Sequence, residues 1–134
     1  MDAQPSPQRR LSLVSVLVPD YDEAIAWYVD VLGFELVENT QLSDTKRWVI
    51  VSPGAGSALL LAKVANAEQQ AAIGQQSGGR VFLFLQTDNF WYDHATYKSR
   101  GVQFQEEPRT EEYGTVAVFS DKFGNLWDLI ELNK

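Results

Sequence analysis

Cysteine is absent from this chain of 134 residues, and histidine occurs once, as His94. The lack of cysteine excludes disulfides, thiolate metal sites and a cysteine nucleophile. Basic residues are also few, with 11 Lys and Arg against 18 Asp and Glu, for a formal net charge of −7. Neither adjacent basic pair, Arg9-Arg10 or Lys46-Arg47, extends into a patch, so we expect no nucleic-acid partner.

Long apolar runs are absent too. No segment approaches the length that crosses a membrane, and residues 1–10 lack the apolar stretch of a signal peptide. We therefore predict a cytoplasmic protein with no membrane partner. The length fits one domain, which we place at residues 11–134, behind a disordered N-terminal tail of residues 1–10.

A weak internal repeat divides this domain into two modules. A shift of 68 residues superimposes the apolar run 13–18 on 81–86, Asp20 on Asp88 and Gly33 on Gly101. In each copy the run predicts a strand, the Asp predicts a helix N-cap, and the Gly predicts the end of that helix. We place the modules at about 11–64 and 79–132, with a linker at 65–78 that contains a short helix.

Three further strands are predicted after each helix. In the first module they lie at about 34–40, 46–52 and 57–63. In the second module they lie at about 102–106, 114–120 and 125–132. The predicted fold is α+β, with two tandem βαβββ modules that form a curved, cup-like mixed β-sheet and keep their helices outside. The sequence leaves open whether the modules pair within one chain or across a dimer.

Alternation along the strands decides which side chains face the cup. In the first strand, the residues expected to face inward are Leu13, Ser15 and Leu17. The repeat extends this expectation to Val81, Leu83 and Leu85. Trp48 and Ile50 share one face of the third strand and are also expected to face inward.

Two segments resemble the vicinal oxygen chelate superfamily, which contains glyoxalase I, extradiol dioxygenases and bleomycin-resistance proteins. One is residues 18–34, with Val-Pro-Asp at its start and Ala-Trp-Tyr-Val-Asp-Val-Leu-Gly-Phe at its end. The other is residues 120–129, Ser-Asp-Lys-Phe-Gly-Asn-Leu-Trp-Asp-Leu. The resemblance covers about residues 11–132. It implies the glyoxalase/bleomycin-resistance fold and a homodimer, in which an exposed aromatic residue such as Trp91 would fit.

The same resemblance places the family's metal ligands at Leu13, Leu60, Val81 and Asp128. Only Asp128 has a side chain that binds metals, whereas a catalytic site needs about three such ligands. His94 lies on the second predicted helix, away from the cup, and a shifted strand register would bring in only another carboxylate, such as Glu131. We therefore predict no metal and no cofactor.

The candidate site combines apolar walls with one carboxylate. Asp128 is interpreted as a ligand for a cationic group, as a catalytic base, or as a remnant held by a neighbour. Tyr113, in a loop before the seventh strand, is expected either at a rim that closes over a ligand or in a solvated turn. The predicted ligand-binding residues are Leu13, Ser15, Trp48, Ile50, Leu60, Val81, Leu83, Tyr113, Val118 and Asp128.

Three functions remain open at this stage. The preferred one is a metal-independent small-molecule-binding protein that resembles the bleomycin-resistance type and holds a cationic, partly planar ligand in its cup. The alternative is an enzyme of the same superfamily, a lyase, isomerase or dioxygenase, with Asp128 as base or as a lone metal ligand. The third is an interaction module whose cup is filled by its own side chains, such as Leu13, Leu60 and Trp48.

Overall fold

The computed structural model describes residues 4–134, which form two modules with one mixed sheet each. The first module contains β1 (Leu13–Val18), α1 (Tyr21–Ala26), β2 (Glu35–Gln41), β3 (Arg47–Ser52) and β4 (Ala58–Lys63). The second contains β5 (Val81–Gln86), α3 (Phe90–Ser99), β6 (Gln103–Phe104), β7 (Arg109–Glu111), β8 (Gly114–Ser120) and β9 (Leu126–Leu132). Helix α2 (Ala67–Ala72) lies in the linker. The predicted α+β fold of two βαβββ modules is confirmed.

The strand order is the same in both modules. In the first sheet it is β1-β4-β3-β2, and in the second it is β5-β9-β8, followed by an edge strand that is split into β6 and β7. The first and last strands of each module run parallel, whereas the other pairs are antiparallel. The predicted disordered tail includes residues 1–3, which lie outside the described residues, and residues 4–12 belong to no helix or strand. No helix within residues 4–134 is long and apolar enough to cross a membrane.

The first module follows its predicted pattern closely. Val16 and Val18 are fully buried on the helix-side face of β1, whereas Ser15, which precedes Val16, is exposed. The Asp20 carboxylate accepts a hydrogen bond from the Glu23 backbone N–H at 2.9 Å, as an N-cap does. Beyond α1, the chain continues in a π-helical segment, Trp27–Val31, which adds a residue to the helix.

The second module departs from the 68-residue offset at its first strand. The pairing of β5 with β9 shifts between Val81 and Leu83, so a bulge adds one residue to β5. As a result the helix begins one residue late, and its N-cap is Asn89 instead of the predicted Asp88. The extra residue of the π-helical segment in the first module restores the 68-residue offset at Gly33 and Gly101.

One buried carboxylate joins the two modules. Asp121, 5% exposed at the start of the β8–β9 turn, accepts a hydrogen bond from the Tyr28 hydroxyl of the first module at 2.6 Å. Within its own module it accepts four more, from the Phe123 and Asn125 backbone N–H groups, the Asn125 amide and the Trp127 indole. A buried charge is tolerated when its oxygens are satisfied in this way. We call this group the Asp121 network.

Aromatic contacts extend the junction around this network. The ring of Trp127 lies 6.1 Å from those of both Tyr28 and Phe34, and the Tyr97 hydroxyl donates to the Leu32 carbonyl at 2.9 Å. The linker packs here too, because a side chain at Gly74, which has a positive φ of 73°, would clash with the Phe123 carbonyl. The helix-side faces of both sheets therefore share one core, and the opposite faces are turned away from it.

Removing the Tyr28 hydroxyl tests the junction. We expect Tyr28→Phe to lower the free energy of unfolding by about 1–3 kcal/mol at pH 7, because Asp121 loses a donor from the other module. Burial, and then the charge of Asp121, raise the pKa of Tyr28 well above 10.0. The folded state therefore keeps this proton at a pH at which the unfolded state releases it, so the wild type loses stability as the pH rises above 10.

The stability difference between the wild type and Tyr28→Phe should therefore narrow above pH 10, as measured by urea unfolding. The exposed residue Tyr92 provides a matched control, and Tyr92→Phe should change the free energy of unfolding by less than about 0.5 kcal/mol. A Tyr28→Phe variant as stable as the wild type at pH 7 would show that the junction does not depend on this hydrogen bond.

Candidate ligand-binding site

We use the term open face for the side of each sheet that is turned away from the helices and the shared core. On the first sheet, Ser15, Leu60 and Ile50 form a row across β1, β4 and β3, because Ser15 pairs with Leu60 and Leu60 pairs with Ile50. Leu13 and Trp48 lie on the same face at neighbouring positions of β1 and β3, and both are half-buried. The structure therefore brings together the five predicted site residues of the first module.

The equivalent row on the second sheet is Phe84, Asp128 and Val118, across β5, β9 and β8. Phe84 is 66% exposed, the largest such fraction for an aromatic residue on either open face. Val81 pairs with Leu126, which alternation places on the same face as Asp128. An apolar surface with one central carboxylate results.

The prediction that Leu83 faces the cup is wrong. Leu83 pairs with Trp127, and Leu85 pairs with Leu129, so both pack on the helix side against the shared core. The bulge in β5 is the reason, since one extra residue moves the following side chains to the opposite face. Phe84 takes the position that the repeat assigned to Leu83.

Asp128 is electrostatically unusual. Its Oδ1 atom is buried and has no hydrogen-bond partner within the described residues. Partial burial raises the pKa of Asp128 above 3.8, the nearby Arg109 lowers it in part, and Glu106 raises it. A carboxyl group in this state accepts a hydrogen bond when ionised and donates one when protonated.

A charged cluster lies beside Asp128 at the split edge strand, and it was not predicted. The Glu106 carboxylate accepts from the Val118 backbone N–H at 3.0 Å, in the gap between β6 and β7. It also accepts from Arg109 Nε, and Arg109 donates further to Glu111 at 2.6 Å. Glu106 thereby completes the hydrogen bonding of β8 and fixes Arg109 near the open face. The three carboxylates, Asp128 included, outnumber the one guanidinium, so the cluster is net negative.

Other candidate residues lie elsewhere. Tyr113 is half-exposed in the short turn between β7 and β8. Glu131 faces the helix side, where it accepts a hydrogen bond from the Phe90 backbone N–H at 2.7 Å, so it does not join Asp128. The ring of His94 stacks on Phe90 and lies 4.3 Å from the ring of Phe104. Burial lowers the pKa of His94, as expected for a ring packed against the sheet.

The residues present do not fit a catalytic metal. Leu13, Leu60 and Val81 occupy three of the four positions given by the family resemblance, and aliphatic side chains have no donor atom. Asp128, at the fourth position, is a single ligand. Within residues 4–134, no group of three or more His, Asp or Glu residues lies close enough to hold a metal ion.

Comparisons with known proteins define the class to which this architecture belongs. The model of the Glyoxalase/Bleomycin resistance protein/Dioxygenase superfamily matches residues 10–129. An uncharacterized protein of Shewanella frigidimarina (strain NCIMB 400) is 52% identical over 123 residues, which cover 90% of this chain and 91% of the relative. The chain therefore belongs to the glyoxalase/bleomycin resistance protein/dioxygenase superfamily, and the resemblance seen in the sequence is confirmed.

UcmS2 and TnmS3 are two of the crystal structures that are similar to this fold. UcmS2 has a TM-score of 0.79 and 28% sequence identity, and the match covers 92% of this chain and 98% of UcmS2. TnmS3, an antibiotic binding protein from Streptomyces sp. CB03234, has a TM-score of 0.75 and 28% identity, and the match covers 96% of this chain and 100% of TnmS3. A protein of this overall shape is therefore an antibiotic binding protein.

Replacing Asp128 by Asn should stabilise the protein at neutral pH. A pKa raised by folding means that the folded state binds the proton more tightly than the unfolded state. The stabilising contribution of the protonated group is complete below the ordinary pKa of 3.8 and is lost as the pH rises through the raised value. Without ligand, we expect Asp128→Asn to melt about 2 °C above the wild type at pH 7 and at the same temperature at about pH 3.

Asp44→Asn is the matched control, because Asp44 lies in an exposed loop. Its melting temperature should follow that of the wild type at both pH values in thermal unfolding monitored by circular dichroism. If Asp128→Asn instead melts below the wild type at pH 7, the ionised carboxylate is stabilised by a partner, and the interpretation as an unsatisfied group is wrong.

Proposed function

We propose that this protein binds a small organic molecule, without a metal, in an apolar cup that two copies of the chain build together. The observation that carries the proposal is the open face of the second sheet, where Phe84 is 66% exposed beside the unsatisfied oxygen of Asp128. Exposed apolar surface of this kind is typical of a binding site. The similarity to the antibiotic binding protein TnmS3 supports the same function.

The arrangement of the modules supports a cup that is shared between chains. Within one chain the shared core lies between the helix-side faces of the two sheets, so neither open face covers the other. A homodimer would place the first-module face of one copy against the second-module face of its partner. Trp48, Ile50 and Leu60 would then form one wall of the cup, and Phe84 and Val118 the other.

The charges favour a cationic, partly planar ligand. Aromatic side chains such as Trp48 and Phe84 stack on flat ring systems and attract positive charge to their faces. Asp128 contributes a carboxylate whose buried Oδ1 atom has no partner among the described residues, and Glu106 and Glu111 more than balance the charge of Arg109. The absence of donor atoms at Leu13, Leu60 and Val81 supports binding without a metal.

A thermal-shift panel tests the ligand class directly. It compares bleomycin, aromatic cations, glutathione thioesters and divalent metal salts. A ligand present at about one hundred times its dissociation constant stabilises the folded state by about 2.7 kcal/mol, a shift of several degrees. We expect a shift with an organic cation and none with the metals. A shift with metals alone would overturn the metal-free proposal.

Complementation between two variants tests whether the cup is shared. Trp48→Ala and Phe84→Ala should each weaken binding of the organic ligand about tenfold or more, since each removes an aromatic wall. In a mixed dimer, however, one cup carries both substitutions and the other carries neither. Co-expressed and purified mixed dimers should therefore recover one cup of wild-type affinity in titration calorimetry, and a cup built within one chain would recover none.

A charged substitution tests the dimer itself. We expect Phe84→Glu to shift the protein from dimer to monomer in light scattering, because it places a charge in the apolar interface. Trp91→Glu is the matched control, since Trp91 is also an exposed aromatic residue, at 61%, but lies on α3. If Trp91→Glu dissociates the dimer and Phe84→Glu does not, the chains associate through their helices instead.

One observation favours a second candidate, an enzyme with Asp128 as general base. Burial raises the pKa of this residue above 3.8, and its Oδ1 atom has no hydrogen-bond partner among the described residues. For an enzyme, Asp128→Asn should lower kcat about a hundredfold and change ligand affinity little. For a binding protein, the same variant should weaken affinity, with no turnover in the wild type.

A further inference from the structure

A cavity lies between the modules, and it is lined by Phe84 of the second sheet but by none of the five site residues on the open face of the first sheet. It is a cleft of about 1000 Å³ between α3 and the β3–β4 turn, residues 53–57. Its floor is apolar and includes Phe34, Leu59 and Trp127. At its back, Tyr97 of α3 and Arg100, which follows that helix, donate hydrogen bonds to the Leu32 and Val31 carbonyls and close that end.

The internal repeat explains why this cleft is empty. By the 68-residue offset, the turn 53–57 corresponds to the turn 121–125, which the Asp121 network fills. Asp121 is replaced by Pro53, Asn125 by Ser57 and Trp127 by Leu59, and each replacement is smaller or lacks the hydrogen-bonding groups. The turn 121–125 is thus bound to the π-helical segment through Tyr28, whereas the turn 53–57 leaves space in front of α3.

Helix α3, which faces the turn 53–57, has no side chain that fills the cleft in the way that Tyr28 fills the equivalent space in front of the other turn. The caps Asp20 and Asn89 are equivalent, so Tyr97 takes the place in α3 that Tyr28 takes in the π-helical segment after α1. The Tyr97 hydroxyl, however, is bound to Leu32 and does not reach across to the turn. Burial, and then the charge of Asp93, raise the pKa of Tyr97 to about 12, so it stays neutral at physiological pH.

The rim of the cleft is acidic and aromatic. Asp88 and Asp93 both lie on it, and Thr87 fixes Asp93 by donating a hydrogen bond at 2.5 Å. Tyr92, 67% exposed, stands beside them. Arg100 is the one basic residue of the lining, and it is engaged at the back with Val31. A positive group at the rim would therefore meet two carboxylates and the face of a tyrosine.

We propose that this inter-module cleft is a second binding site, which takes a small aromatic cation. The flat, apolar part of the ligand lies on the floor formed by Trp127, Leu59 and Phe34. Its positive group lies at the rim near Asp88 and Asp93. The volume is at the upper end of the range of small-molecule pockets, about 300–1000 Å³, and all the residues that line it belong to one chain.

Fluorescence anisotropy with two xanthene dyes tests the proposal on the full-length protein. Rhodamine 6G is cationic and fluorescein is anionic, whereas their ring systems are the same. We expect rhodamine 6G to bind at least about tenfold more tightly than fluorescein. Asp93→Asn should weaken rhodamine 6G binding about fivefold and leave fluorescein unchanged or slightly improved.

A substitution that fills the cleft provides a second test of the proposal. Ala55 is exposed in the small turn and lines the cleft, so Ala55→Trp should weaken rhodamine 6G binding about tenfold without unfolding the protein. Ala55→Ser, the matched control, should stay within about twofold of the wild type. Equal affinity for the two dyes, or equal affinity of Ala55→Trp and Ala55→Ser, would overturn the proposal.

Trp48→Ala separates this site from the proposed shared cup, whereas a substitution of Phe84 would not, because Phe84 lines both. Trp48 does not line the cleft, so the variant should bind rhodamine 6G as the wild type does, even where it loses the ligand of the shared cup. If Trp48→Ala abolishes rhodamine 6G binding and Ala55→Trp does not, the dye belongs to the open face, and the cleft is not a site.

Discussion

The buried carboxylate of Asp121 is the constraint on which the rest of the architecture depends. It accepts hydrogen bonds from its own turn and from Tyr28 in the other module, so one side chain shapes the β8–β9 turn and fixes the junction. A buried charge in this position is costly unless all its donors are present. Because the helix-side faces are joined here, the opposite faces of both sheets are left open, and these faces carry the candidate site.

The two halves of the repeat have come to differ at this same turn. In the second module the turn is built from polar residues that bind one another and Tyr28. In the first module the turn 53–57 is Pro-Gly-Ala-Gly-Ser, and Gly54 and Gly56 have positive φ and no atom close to where a side chain would lie. The hydrogen bonds of the Asp121 network therefore form at the turn 121–125, whereas the turn 53–57 leaves a cleft in front of α3.

Most of the fold was predictable because strand alternation, caps and glycines are local signals. The errors come from one inserted residue. Residues 81–85 are apolar at every position, so no alternation reveals the bulge, and Leu83 was expected where Phe84 lies. The N-cap of α3 is Asn89 instead of the predicted Asp88 because of the same bulge. Arg109 and Glu106 were missed because their position depends on the split edge strand, whose break at residues 105–108 has no periodic signature.

Asp121 and Asp128 are both partly or fully buried carboxylates, but their surroundings differ. Asp121 is surrounded by donors and holds the modules together, as expected of a structural carboxylate. Asp128 lies seven residues further along the chain, on the opposite face of the sheet, and its Oδ1 atom has no partner among the described residues. An unsatisfied buried oxygen costs stability, and a ligand that donates a hydrogen bond would remove this cost. In the proposed cup, part of the binding energy would therefore come from satisfying this oxygen.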